Sequence, residues 1–228
     1  MSIYITGDIH GCPERLSSKN LLYKGLDIKK DDIVIICGDF GIPWRKNSGY
    51  WLRWLAEKPF TVLFVDGNHE NFDLLSQFPV VEKFGGKVHQ LKENIFHLMR
   101  GEVFEIEGTT FFTFGGATST DIGRRTEHIS WWKEENYSIE EFENAVSNLE
   151  KVDFKVDYVI THTAPKRFVE SVPEAVDRVK DCKTSILLSE LEPMISYKKW
   201  FFGHFHLDYY REDSVAAWMS EGIKKIVD

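Results

Sequence analysis

An α/β layered architecture is what the pattern of this chain predicts, with helices set between buried strands. Three observations carry that reading. Short runs of β-branched and aromatic residues recur, each ending in Gly, Asp, Asn or His. Segments with helical spacing of apolar residues fall between several of those runs. The chain has 228 residues, 43% hydrophobic and 14% aromatic, which is enough apolar mass for a sizeable core. The same numbers exclude a disordered chain and a small disulfide scaffold.

The strands follow in order. Residues 2–6 (Ser-Ile-Tyr-Ile-Thr) stop at Gly7-Asp8. Residues 33–37 stop at Gly38-Asp39, and residues 61–65 at Asp66-Gly67-Asn68-His69. Residues 110–114 run into Gly115-Gly116, with Glu102–Ile106 expected to pair beside them. Residues 157–161 stop at His162, and residues 199–202 at Gly203-His204. Unbroken apolar runs of this length fit strands covered on both faces. Residues 48–57, with Trp51, Trp54 and Leu55, read as a helix, as do residues 185–191. A further helix begins at Ser138, where Ser138 and Glu141 have capping-box spacing and Phe142, Val146 and Leu149 follow at i, i+4 and i+7. In layered α/β folds ligands collect at the carboxyl ends of strands, and the polar residues named here stand there. No repeat, low-complexity tract or Pro/Gly/Ser-rich linker divides the chain, so one domain over residues 1–228 is expected.

Charge and composition narrow the function. Lys+Arg 28 against Asp+Glu 36 leaves a net charge of −8. That field repels phosphates at long range, so an extended nucleic-acid duplex and an anionic membrane surface are poor partners. A local phosphate site built on cations remains open. The apolar runs fall far short of the ~20 residues that span a bilayer. The N-terminus enters Ile3-Tyr4-Ile5 and Asp8 with no basic segment and long apolar stretch before it, so a cytoplasmic location is expected. Cys12, Cys37 and Cys182 are odd in number and irregularly spaced, which argues for reduced thiols rather than a disulfide framework or zinc ribbon.

Five segments share one chemical theme: Gly7-Asp8-Ile9-His10-Gly11, Gly38-Asp39-Phe40-Gly41, Gly67-Asn68-His69-Glu70, Thr161-His162-Thr163 and Gly203-His204-Phe205-His206. Besides His69 they offer two carboxylates, one amide oxygen and four imidazoles. That mixture of hard oxygen and borderline nitrogen suits Mn²⁺, Fe or Zn²⁺ better than Ca²⁺. Any one segment alone reads as a turn or an ordinary polar histidine. Five at once, each at a strand end, are hard to produce by chance. His89, His97 and His128 lack this context and read as structural or surface residues.

Taken together, the segments resemble the calcineurin-like metallophosphoesterases, whose pattern is D-x-H, G-D, G-N-H-[ED], a His, then G-H-x-H. The match runs in order from Asp8 to His206. The resemblance implies a four-layer αββα sandwich, two mixed β-sheets flanked by helices, with metals at one edge. It implies two divalent transition metal ions: one held by Asp8, His10, Asp39 and His206, the other by Asp39, Asn68, His162 and His204, with Asp39 shared. It also implies that His69 binds no metal and faces the leaving group as an imidazolium. Asp8 is one candidate to hold the His69 ring. Two cations neutralise the phosphoryl charge and lower the pKa of a bridging water, so that hydroxide can attack near pH 7.

The G-D block departs from the protein phosphatase branch, which continues with an Asp-Arg. Here Phe40-Gly41-Ile42-Pro43-Trp44 follows. Losing that guanidinium removes a bidentate clamp on a dianionic phosphoryl group, and an apolar wall takes its place. Hydrolysis of phosphomono- or phosphodiester bonds is therefore expected, with appreciable phosphodiesterase activity and no marked preference for phosphoproteins. Arg124 and Arg125, in the polar segment after residues 110–114, are candidate substrate contacts, with Arg100 and Lys166 further candidates. Trp44, Trp131 and Trp132 read as a stacking wall or as core. The expected function is hydrolysis of a small or mid-sized phosphoester. A nuclease or nucleotide phosphodiesterase of the same family, and a non-catalytic scaffold on this fold, are the alternatives.

Overall fold

The computed structural model describes residues 1–44 and 49–227. Along the chain run β1 (Ile3–Thr6), α1 (Ser18–Tyr23), β2 (Ile33–Ile36), α2 (Gly49–Ala56), β3 (Thr61–Phe64) and α3 (Phe72–Leu75). There follow β4 (Val80–Lys83), β5 (Gly86–Lys92), β6 (Ile95–Leu98), β7 (Val103–Ile106), β8 (Thr109–Phe114) and α4 (Ile139–Glu150). The chain then forms β9 (Tyr158–Thr161), α5 (Pro173–Val179), α6 (Lys183–Leu191), β10 (Lys199–Phe202), β11 (Tyr209–Tyr210), β12 (Ala216–Trp218) and β13 (Ile223–Val227). Residue 48, where the α2 helix was expected to start, lies outside the described residues.

Among the described residues, two mixed sheets form. One has seven strands in the order β13-β1-β2-β3-β6-β5-β4, the other six in the order β11-β12-β10-β9-β8-β7. β1, β2 and β3 run parallel, with Ile5 opposite Ile35 and Ile35 opposite Leu63. β8, β9, β10 and β12 are likewise parallel neighbours. β7 pairs antiparallel with β8, as expected for Glu102–Ile106.

The pleat explains the layers. Ile3, Ile5, Ile33, Ile35 and Leu63 meet Phe111, Ile160 and Phe201 of the other sheet, forming a core between the sheets. The alternate residues Tyr4, Val34, Ile36, Val62 and Phe64 face away and meet Leu21, Leu52 and Leu55 of α1 and α2. On the second sheet Val159, Trp200 and Phe202 meet Leu149 of α4 and Leu187, Leu188 and Leu191 of α6. Each central strand therefore buries both faces, and its apolar residues cannot alternate with polar ones. This is the four-layer αββα sandwich. Ser138 caps α4: its Oγ accepts the Glu141 N–H at 3.2 Å while Glu141 Oε2 accepts the Ser138 N–H at 2.8 Å. No helix among the described residues is long and apolar enough to cross a membrane.

Candidate metal centre

The parallel strands β1, β2 and β3 end side by side, as do β9 and β10 in the facing sheet, so their C-terminal loops meet at one edge. β1 leads to Asp8 and His10, β2 to Asp39, β3 to Asn68 and His69, β9 to His162, and β10 to His204 and His206. His10, Asp39, His204 and His206 all have positive φ, between 45° and 68°. Non-glycine residues rarely adopt that conformation, and its clustering here marks a backbone bent to aim side chains. The glycines allow the loops to close up. A Cβ on Gly67 would lie 2.0 Å from Asp39 Oδ1, and one on Gly38, at φ +94°, 2.1 Å from His162 Nδ1.

Two groups of ligand atoms result. In the first, Asp8, His10, Asp39 and His206 bring ligand atoms within 4.8 Å of one another. Asp8 Oδ2 is 3.2 Å from His206 Nε2, and His206 Nε2 is 3.0 Å from His10 Nε2. In the second, His162 Nε2 lies 3.1 Å from Asn68 Oδ1, 3.2 Å from His204 Nδ1 and 3.3 Å from Asp39 Oδ1. Asp39 Oδ2 is 3.7 Å from His10 Nδ1, so Asp39 turns one oxygen to each group. Asp8, Asp39, Asn68, His162 and His204 are buried, whereas His10 and His206 are exposed, so the first group opens to solvent.

The donor set fits cations. His162 Nδ1 is 2.9 Å from the Cys37 carbonyl, which places the ring proton there and leaves a lone pair on Nε2. That lone pair faces two oxygens and another ring nitrogen, an arrangement that protons satisfy poorly and a cation satisfies well. Asp8 Oδ2 and His204 Nε2 are buried without a hydrogen bond among the described residues. Burial raises the Asp39 carboxyl well above its ordinary value, and the negative charge of Asp8 adds to this. Burial opposes ionisation of Asp8 too, but the contact with His206 and the nearby imidazoles hold it down to about 2. Cys12 is exposed and joins neither group.

His69 stands outside both ligand groups. Its backbone N–H donates to Asp39 Oδ1 at 2.8 Å, and its Nε2 faces Arg125 Nη2 at 3.3 Å rather than Asp8. Burial, then the Arg125 charge, lowers its pKa to about 4. Both causes favour the neutral imidazole over the imidazolium. Arg125 also pairs with Asp121 at 2.8 Å and lies 3.9 Å from Glu135.

Three cavities adjoin the edge among the described residues, one of them on the Asp8 and His10 side beside Cys12 and Arg15. A polar one of about 250 Å³ is lined by His69, Thr118, Ser119, Arg125, Arg178 and His206, among others. An apolar one of about 380 Å³ is lined by His10, Gly11, Gly41, Ile42, Trp44, Trp51 and His69. Arg125 reaches the site, whereas Arg124 is exposed and lines none of the three. Arg100 is buried and committed to Asp66 and Glu141, so it is not a substrate contact. Lys166 Nζ donates to the Lys180 carbonyl at 3.2 Å and also lines none of them. Phe40 is fully buried and stacked on Phe64 at 4.1 Å, so the wall is made by Ile42, Trp44 and Trp51 instead. Trp44 leans edge-on against Trp132, which is itself fully buried. His97 is a buried partner of Asp66, His89 stacks on it, and His128 is a surface partner of Asp73.

Two residues at the site, Glu70 and Arg178, received no role in the sequence reading. Glu70 is buried and accepts the Phe40 and Gly41 N–H groups at 2.7 and 2.9 Å, bracing the loop that carries Asp39. Arg178 of α5 donates to the His204 carbonyl at 2.6 Å. The H in the G-N-H-E segment drew attention to itself; the E next to it was a signal available for Glu70. No comparable signal points to Arg178.

The family model of calcineurin-like phosphoesterases matches residues 1–208. No curated protein matches the chain. Among solved structures, a Staphylococcus aureus protein assigned as a 5′-nucleotidase, in complex with α-ketoglutarate, aligns over 99% of this chain at 16% identity and a TM-score of 0.51. This chain spans 50% of that protein's length. The phosphopantetheinyl hydrolase of Mycobacterium tuberculosis aligns at a TM-score of 0.47, with 14% identity over 96% of this chain and 88% of its own.

Proposed function

This chain belongs to the calcineurin-like phosphoesterase family, and on that premise we propose that it hydrolyses small phosphoesters with two divalent cations. The observation that carries the reading is Asp39, with one carboxylate oxygen toward each of two ligand groups. Asp8, His10, Asp39 and His206 would hold one ion, and Asp39, Asn68, His162 and His204 the other. Mixed carboxylate, amide and imidazole donors favour Mn²⁺, Fe or Zn²⁺. Such a pair of ions neutralises phosphoryl charge and supplies an acidified water as nucleophile.

The chain's own residues do the rest. Arg125, beside His69, offers a guanidinium to the phosphoryl oxygens. With Arg125 donating to Nε2, the His69 ring proton sits on Nδ1. That N–H stabilises charge on the departing oxygen, a role worth about 10²–10⁴-fold. An anionic substrate also offsets the Arg125 charge and draws the His69 pKa back toward its ordinary value.

The apolar cavity shares His10 and His69 with the site, so a second substrate arm can lie against Trp44 and Trp51. This favours a phosphodiester, and a nucleotide phosphodiesterase is the second reading. The test is kcat/KM for bis-p-nitrophenyl phosphate, p-nitrophenyl phosphate and a phosphopeptide on one metal-loaded preparation. The diester is expected to be the best substrate. A marked monoester or phosphopeptide preference overturns the diester reading, and no turnover of any phosphoester overturns the function.

A further inference from the structure

Arg15 belongs to the short turn Pro13–Leu16 and is half-buried. With Asp8, His10 and Lys24 it lines the cavity of about 450 Å³ on the Asp8 side of the edge. His10 also lines the tryptophan-walled cavity, so the two cavities flank the first ligand group.

Backbone carbonyls, not carboxylates, hold both cations of this cavity. Arg15 Nη1 donates to the Ser220 carbonyl and, at 3.4 Å, to Thr6 Oγ1. Lys24 Nζ donates to the Glu221 carbonyl at 2.9 Å. Residues 220–222 are fixed in turn by Asp208, whose carboxylate accepts their N–H groups at 3.0–3.1 Å. Neither cation makes an ion pair among the described residues, and Arg15 Nε and Nη2 have no partner there.

A guanidinium cannot shed its charge, and partial burial without a counter-ion is costly. Burial pulls the Arg15 pKa down, and the acids around it, Glu221 first, pull it back less strongly. Glu14 and Glu221 also line the cavity, but both are exposed and screened by water. Asp8 would be spent on its ion.

We propose that this cavity is a subsite for a second anionic group of the substrate, selected by Arg15. The scissile phosphoryl group lies at the ions beside His10, and the leaving group lies toward His69 and the tryptophan wall. The retained arm runs past His10 and sets a phosphate on Arg15 Nε and Nη2, a bidentate match, with Lys24 adding a point charge. The substrate class is a phosphodiester whose retained arm carries a second phosphate. The inference rests on the phosphoesterase reading above and deepens it.

The test uses p-nitrophenyl phosphodiesters whose retained arm is an alkyl chain of graded length, ending in a methyl group or in a phosphonate. The readout is the ratio of kcat/KM, phosphonate over methyl, at each length on metal-loaded protein. A general loss of turnover or of ions cancels in that ratio. In wild type it is expected to reach about 10–100 at the length that spans the cavity. Arg15→Gln is expected to bring it to about one, while Arg15→Lys keeps the charge without the fork and retains a fraction of the gain. Lys24→Gln is expected to lower it severalfold, and serves should Arg15→Gln not fold. A wild-type ratio near one at every length overturns the proposal alone. So does a ratio unchanged in Arg15→Gln, or in Lys24→Gln where that variant stands in. Turnover of neither ester overturns it together with the phosphoesterase reading.

Discussion

Individual residues carry the chemistry, and the burial of each sets its protonation. Glu135 is the clearest case. Its folded pKa, about 7, stands above its ordinary 4.5, so the folded state binds the proton more tightly than the unfolded state. The stability this contributes is full below pH 4.5 and is lost as pH rises through about 7. Without metal, Glu135→Gln is therefore expected to melt above wild type by a margin that grows from pH 5 to pH 8. A margin independent of pH contradicts it. His69→Ala is expected to keep both ions while kcat falls, most steeply for alkoxide leaving groups. Equal loss with a nitrophenolate and an alkoxide contradicts the donor role. Asp8, Asp39 and the histidines were legible in the sequence because ligand chemistry restricts residue type. Glu135 was not, since it follows Glu134 and no local pattern says which of them turns inward.

Each structural element presents these residues through buried polar contacts. Asp66, just past β3, meets Arg100 Nε at 3.0 Å and His97 Nε2 at 3.1 Å, and Arg100 Nη1 reaches Glu141 of α4 at 3.1 Å. Burial opposes the charge of Asp66, and the Arg100 guanidinium outweighs it, holding the carboxyl well below its ordinary range. Arg100→Ala strands that carboxylate and is expected to cost about 3–5 kcal/mol in denaturant unfolding. A cost under about 1 kcal/mol would show that the network does not brace the loop after β3. Arg100 misled the sequence reading because a guanidinium near a phosphate site and one locked in a core look alike in one dimension. The central strands β1, β2, β3, β8, β9 and β10 were legible because both faces are covered, whereas the equally buried but short β6 and β12 were not read. β4 and β13 were not, since they sit at the edge of the seven-stranded sheet and carry Lys83, Lys224 and Lys225. The short helices α1 and α3 hold too few turns for a periodicity, and depend on caps from Ser17 and Asn71.

On the scale of the whole molecule, two sheets converge their parallel strand ends on one edge. The resemblance of five motifs predicted this sandwich. Strand patterns alone reach only to buried sheets, because face-to-face packing leaves no periodic mark in the sequence. Ions held at that edge would tie both sheets together. A divalent ion at a hundredfold excess over its Kd is expected to add about 2.7 kcal/mol to unfolding stability, seen as a rise in Tm. No shift with Mn²⁺, Fe²⁺ or Zn²⁺ contradicts a resident metal pair. Hydrolysis of bis-p-nitrophenyl phosphate, followed as stripped protein is titrated with Mn²⁺, tests the central claim most directly. Turnover is expected to be absent without metal and to plateau at two equivalents. A plateau at one equivalent, turnover that persists in chelator, or none at any loading of the folded protein would contradict the dinuclear site.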